Sequence, residues 1–195
     1  MSATNRGAKR KESDFYATPL ETVYSLLDNY KGINEKDIIL EPSAGNGNII
    51  RALKNRGYTN FIEAVELRKD ETNELMGIAD EVNICDYLTG FNTTNKYDVI
   101  IGNPPYSLAQ EFIDKSLELL APGGRLIFLL RTNFLESKKR FDWWQDKTPN
   151  GLYVLSKRPS FTGKGTDATS YSWFIWENTK EPFKGLSTYQ EVKVI

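Results

Sequence analysis

The chain of 195 residues carries 25 Lys/Arg against 26 Asp/Glu, with 39% hydrophobic residues, a composition of folded rather than disordered proteins. A chain of this length buries about 70% of its extended surface, enough for one domain with a real core. Histidine is absent and cysteine occurs once, at Cys85, which excludes Ser-His and Cys-His nucleophiles, histidine metal sites, zinc clusters and internal disulfides.

Thr18-Pro19-Leu20-Glu21 opens the first predicted helix as a capping box with proline at the first helical position. Val23, Leu26, Leu27 and Tyr30 continue one apolar face, and Gly32 ends it. A strand over 37–40 follows, then a helix over 48–56 stopped by Gly57. A strand over 61–65, a helix over 70–78 and a strand over 82–85 come next. Cys85, beside Val82, Ile84 and Tyr87, reads as a buried strand thiol. A strand over 97–101, a helix over 108–120 and a strand over 126–130 complete the alternation, with Pro122-Gly123-Gly124 turning the chain. This pattern predicts an α/β fold, a mostly parallel sheet with helices on both faces. A helix over 138–147 carries Phe141, Trp143 and Trp144, expected in the core. Segments 152–155 and 171–176 are expected to pair antiparallel, joined by a loop over 156–170 long enough to be functional.

No apolar run approaches the roughly 18 residues of a membrane span, and the opening MSATNRGAKRKES lacks the apolar stretch of a signal peptide. A cytoplasmic protein without a membrane partner is expected. Charge is segregated: residues 32–98 hold 7 basic and 12 acidic side chains, residues 131–165 hold 8 and 3. Residues 1–13, with Arg6, Lys9, Arg10 and Lys11, are expected to form a disordered basic tail ahead of a single domain over 14–195. The polarity fits a face toward a polyanion as well as it fits an ordinary solvated surface.

Two motifs carry chemistry. Glu41-Pro42-Ser43-Ala44-Gly45-Asn46-Gly47-Asn48 lies between a strand and a helix. Glycines there let the backbone approach a ligand, and the helix start offers unpaired N–H groups. It is not a complete dinucleotide fingerprint, because Ile50 fills the third glycine position. Glu66 follows Gly47 at the end of the second strand, where a carboxylate binds ribose hydroxyls. Together they point to an adenosine-containing cofactor; a tight turn plus a surface glutamate is the plainer alternative. Asn103-Pro104-Pro105-Tyr106 follows the strand over 97–101. Two prolines stiffen that turn, which projects an amide and an aromatic ring from the sheet edge.

In this order the motifs resemble class I S-adenosylmethionine-dependent methyltransferases, specifically the amino-group DNA adenine-N6 type with gamma motif order. The resemblance runs from Asp14 to Trp176. It implies a Rossmann-like, mostly parallel seven-stranded sheet with an antiparallel C-terminal strand pair. Asp14-Phe15-Tyr16-Ala17-Thr18-Pro19 is similar to the family's N-terminal cofactor motif. The resemblance implies cofactor contacts from Tyr16, Thr18, Glu41, Pro42, Ser43, Ala44, Gly45, Gly47 and Asn48. It implies further ones from Glu66, Leu67, Asp86, Tyr87 and Asn103. Asn103, Pro104, Pro105 and Tyr106 match the catalytic tetrapeptide, and Arg158-Pro159-Ser160-Phe161 resembles the late loop facing a flipped base.

The chemistry so implied is methyl transfer from S-adenosyl-L-methionine, leaving S-adenosyl-L-homocysteine, to adenine N6 in DNA. Hydrogen bonds from N6–H to the Asn103 oxygen and the Pro104 carbonyl would favour a tetrahedral nitrogen in the transition state. Tyr106 would stack on the extruded base, and Phe161 would close its other face or, as an equal alternative, pack on the core as a loop aromatic. Region 131–170 is expected to recognise substrate, with Lys157, Arg158 and Lys164 on the nucleic-acid backbone. Its small size implies target recognition that is short, loose, or supplied by a protein partner or a second copy. Alternatives with the same tetrapeptide are RNA adenine-N6 and protein glutamine-amide methyltransferases. A non-catalytic subunit with this fold, binding a partner, is a third reading.

Overall fold

The structure, a computed structural model, describes residues 17–161, 168–178 and 191–195. Short apolar runs set the frame: β1 (Ile39–Glu41), β2 (Ile62–Glu66), β3 (Glu81–Ile84), β4 (Tyr97–Gly102) and β5 (Leu120–Arg131) are neighbours in one parallel sheet. β6 (Gly151–Val154), β7 (Tyr171–Glu177) and β8 (Glu191–Val194) extend it to eight strands among the described residues, in the order β3-β2-β1-β4-β5-β7-β6-β8. β7 runs antiparallel between β5 and β6, as the sequence suggested for the late strand pair, and β8 lies parallel beside β6. The expected count of seven strands is therefore corrected to eight. β8 is four residues long, and only its pairing with distant β6 identifies it as a strand.

Residues alternate between two cores because successive strand side chains point to opposite faces. On β5, Ile127 and Leu129 join one core, while Leu126, Phe128 and Leu130 join the other. α1 (Leu20–Asn29) and α2 (Asn48–Asn55) cover the first face, and α4 (Ala109–Leu119) covers the second. A register shift between Tyr97 and Val99 lets Tyr97 and Ile100 share a face. Trp173 and Trp176, on opposite faces of β7, are fully buried, and each indole N–H finds a backbone carbonyl, of Thr22 and of Lys147. No helix among the described residues is long and apolar enough to cross a membrane.

Several boundaries differ from the sequence expectation. α1 has Pro19 as its N-cap, without a side-chain cap, and ends at Asn29 before Gly32 is reached. The expected helix over 70–78 is a 3-10 turn over Lys69–Glu71 followed by α3 (Thr72–Met76). The expected helix over 138–147 is likewise a 3-10 turn over Lys138–Arg140 leading into α5 (Phe141–Asp146). Trp143 and Trp144 pack around Phe134 against the second core, but Phe141 is 61% exposed, not in the core.

The strand order reverses between β1 and β4, so their helical connections leave in opposite directions. In such sheets the crevice beyond the carboxyl ends of these two strands is where ligands bind.

Candidate active site

A cleft opens at that switch point. Glu41 enters it from the end of β1, Glu66 and Leu67 from the end of β2, Cys85 and Asp86 from beyond β3, and Asn103 from beyond β4. Pro42, Ser43, Ala44, Gly45 and Asn48 supply the wall between β1 and α2, and Thr18 reaches in ahead of α1. The connection preceding α2 requires glycine: Gly45 has φ 57° and Gly47 φ 77°. Gly47 itself does not line the cleft. A Cβ there would meet Ile78 Cδ1 at 2.3 Å, so this glycine serves the turn and the packing of the segment after α3.

The two acidic residues are held differently. Glu66 is buried; its Oε2 accepts from the Gly45 N–H at 2.7 Å, and its Oε1 accepts from Arg68 N at 3.0 Å and Arg68 Nε at 2.9 Å. A carboxylate offers about four lone-pair positions, so one remains on Oε2. Arg68, which also pairs with Glu71 at 3.1 Å, lines the cleft and was not singled out in the sequence. Glu41 is 1% exposed, and its Oε2 has no hydrogen-bond partner among the described residues. Burial, reinforced by the Glu66 charge, pushes its pKa well above the usual carboxylate range, against a lowering contact with the Ile50 backbone. Ser43 Oγ, beside it in the cleft wall, is likewise buried without a partner.

Asp86 forms an Asx turn, accepting from the backbone N–H groups of Leu88 and Thr89 at 2.7 and 3.0 Å. Tyr87 contributes to the cleft floor, but its ring lies in the second core between Phe91 and Phe112, with its hydroxyl on Ser116 at 2.9 Å. Burial raises that phenol's pKa. Cys85 is half-buried at the cleft rim, where burial raises its thiol pKa. The expected buried strand thiol is thus corrected: β3 ends one residue earlier, at Ile84.

The Asn103 amide is gripped at both ends. Its Nδ2 donates to Thr18 Oγ1 at 3.1 Å, and its Oδ1 accepts from the Tyr106 hydroxyl at 2.8 Å. Thr18 is 6% exposed, and its carbonyl accepts from Asn48 Nδ2 at 2.9 Å. The threonine read as a helix cap therefore orients an amide 85 positions later.

No family profile matches the chain. Two curated relatives do. The Heyndrickxia coagulans type II restriction enzyme and methyltransferase RM.BcgI is 28% identical over 62% of this chain and 24% of its own length. The Acinetobacter calcoaceticus type II methyltransferase M.AccI is 28% identical over 66% of this chain and 29% of its own length. The chain thus spans less than a third of either relative. Among solved structures, the EcoKI M protein of a type I restriction enzyme matches 92% of this chain and 48% of that one, at 16% identity and TM-score 0.68. A Listeria monocytogenes protein described as a class I S-adenosylmethionine-dependent methyltransferase matches 97% and 68%, at 16% identity and TM-score 0.66. The chain has the fold of class I S-adenosylmethionine-dependent methyltransferases.

On this methyltransferase fold, the residues expected around a target base form an aromatic wall beside Asn103. Tyr106 packs on Tyr171, ring centroids 5.7 Å apart, and Phe161 packs edge-on to Tyr171 at 5.1 Å. Arg131, at the end of β5, sets its guanidinium 5.2 Å from the Tyr106 ring centroid, and its Nε donates to the Tyr171 hydroxyl at 3.4 Å. Neither Arg131 nor Tyr171 was named from the sequence, and their β5–β7 pairing across 40 positions is what brings them here. Lys157 and Arg158 are exposed and line a different cavity, between the start of α1 and Ile195. Pro104 is buried and Pro105 lines the cleft. Tyr16 and Lys164 lie outside the described residues.

Proposed function

We propose that the chain transfers a methyl group from S-adenosylmethionine to the N6 amino group of adenine in DNA. The observation that carries this reading is the oriented Asn103 amide. Thr18 holds its nitrogen, so its oxygen, on which the Tyr106 hydroxyl donates, is the end that accepts. Similarity to two restriction-modification methyltransferases supports DNA as the substrate.

The cleft fits the cofactor on its own chemistry. The buried Glu41 Oε2 and the Ser43 hydroxyl, both without a partner among the described residues, suit a ligand bearing an ammonium group. The lone pair left on Glu66 Oε2 suits a ribose hydroxyl, and the Asp86–Leu88 segment would border the adenine ring. When bound, S-adenosylmethionine supplies a methyl group activated by its sulfonium.

The chain's own contribution is positioning and charge stabilisation. The Asn103 Oδ1 and the Pro104 carbonyl would accept the two N6 hydrogens, drawing the nitrogen lone pair out of conjugation with the ring. Positive charge developing on that nitrogen is then stabilised by both dipoles. The methylated nitrogen is a strong acid, so its proton passes to water and no histidine is required. Since N6 is out of reach inside a duplex, the base must be extruded, with Tyr106 and Phe161 as its stacking partners.

Transfer of tritiated methyl from the cofactor to unmethylated DNA, with RNA in parallel, tests the reading. Asn103→Ala should cut transfer at least a hundredfold while leaving cofactor affinity within a few-fold, because the lost bonds act in the chemical step. Substantial transfer by that variant would remove Asn103 from the chemistry, and transfer to RNA alone would replace the substrate.

A further inference from the structure

The contact between Tyr106 and Asn103 competes with the stacking role of the same tyrosine. A phenolic O–H lies in the plane of its ring, so an acceptor at 2.8 Å from that oxygen sits near the ring plane. A base stacked on the ring lies about 3.5 Å above it. Its amino hydrogens point within its own plane, so they would miss an oxygen some 3.5 Å below, beyond hydrogen-bond reach. Asn103 Oδ1 therefore serves either the tyrosine hydroxyl or the amino group of a stacked base. Thr18 prevents the amide from turning to offer a different geometry.

We infer that the Tyr106 hydroxyl is a placeholder for the substrate's amino group, occupying its acceptor on Asn103 until the target base displaces it. This deepens the adenine-N6 reading and rests on it. The hydroxyl and the ring of one residue then act in opposite senses: the hydroxyl competes with the base, and the ring receives it. Several features equip the residue for the exchange. Burial holds its phenol protonated, with a pKa well above the usual tyrosine range, so it remains a donor. Tyr171 lies alongside as an alternative partner for the departing hydroxyl. Arg131 stands over the ring, where a cation gives way to a base that stacks. The placeholder keeps the half-buried amide oxygen satisfied until a base arrives, in a site where an unsatisfied acceptor is costly.

The hydroxyl contact is one neutral hydrogen bond, so its removal should change the apparent affinity for DNA between about two- and tenfold. Steady-state transfer to unmethylated plasmid DNA is measured for the full chain, Tyr106→Phe and Tyr106→Ala at saturating cofactor. Tyr106→Phe keeps the ring and removes the competitor, so KM for DNA should fall and kcat/KM should rise by that factor. Tyr106→Ala removes the ring as well, so kcat/KM should fall. A kcat/KM for Tyr106→Phe at or below that of the unsubstituted chain overturns the proposal.

A second measurement needs no substrate. In protein labelled with 13C at tyrosine Cζ, the Tyr106 resonance is the one lost in Tyr106→Phe. Asn103→Ala should shift it; an unmoved resonance overturns the contact. Should the chain methylate no DNA, the adenine reading fails while this resonance still decides the contact on which the placeholder rests.

Discussion

A buried carboxyl such as Glu41, whose Oε2 lacks a partner among the described residues, is tolerated because burial favours its protonated form. The folded protein then binds a proton that the unfolded chain releases once the pH passes the ordinary glutamate value, about 4.3. Stability is full below that value and falls as the pH rises from it toward the raised one. Glu41→Gln should flatten this slope: between about pH 5 and pH 8 its Tm should move less than that of the unsubstituted chain, and at pH 8 it should be higher by a few degrees. Thermal unfolding monitored by circular dichroism at several pH values reads this. A cation entering the cleft would draw the proton off, so calorimetry in buffers of different ionisation enthalpy should detect proton release on cofactor binding, absent in Glu41→Gln. Equal pH slopes for the two proteins would mean that Glu41 is ionised in the fold.

Among the elements, α4 shows how a helix can shape a loop it does not join. Lys115 Nζ donates to the carbonyls of Tyr87 at 2.5 Å, Phe91 at 2.6 Å and Leu88 at 3.3 Å, closing the turn that follows β3. Asp86 and Leu88, which face the cleft, are placed by that turn. Lys115→Met keeps the aliphatic stem and orphans the carbonyls. It should cost about 2–3 kcal/mol in denaturant unfolding and weaken cofactor binding severalfold; a loss below about 0.5 kcal/mol would mean that water replaces the amine. The sequence contained no sign of this clamp, because a lysine on a helix surface looks the same whether it meets solvent or carbonyls. The first five strands were legible because each is a local apolar run ending at a turn. The cleft was legible for a related reason: four of its lining residues, Glu41, Glu66, Asp86 and Asn103, sit at or just past those strand ends. What escaped was made by distance in sequence. Thr18 looked like a helix cap because its true partner is Asn103, Arg131 meets Tyr106 only through the sheet, and β8 exists only beside β6.

Over the whole molecule, the basic excess of residues 131–165 begins at the end of β5, on the carboxyl edge that carries the cleft, and the chain returns to that edge after β6. Lys157 and Arg158 are exposed there, with Lys164 beyond them in sequence. If these cations meet phosphates, neutralising all three should flatten the salt dependence of DNA binding by roughly two to three logarithmic units of slope, with cofactor affinity unaltered. Fluorescence anisotropy with a labelled duplex at several salt concentrations measures this, and an unchanged slope would make them ordinary solvated charges. The long reach of β7 governs something else. Trp173 on that strand donates to the carbonyl of Thr22 in α1, 151 positions earlier, at 3.2 Å. α1 and the Thr18 ahead of it are thus anchored by one of the last strands to be made. On a ribosome, the glycine-rich turn, Glu66 and Asn103 all emerge before β7 does. A growing chain therefore displays the side chains of the cleft before the strand that anchors α1, and with it the Thr18 hold on Asn103, has been made.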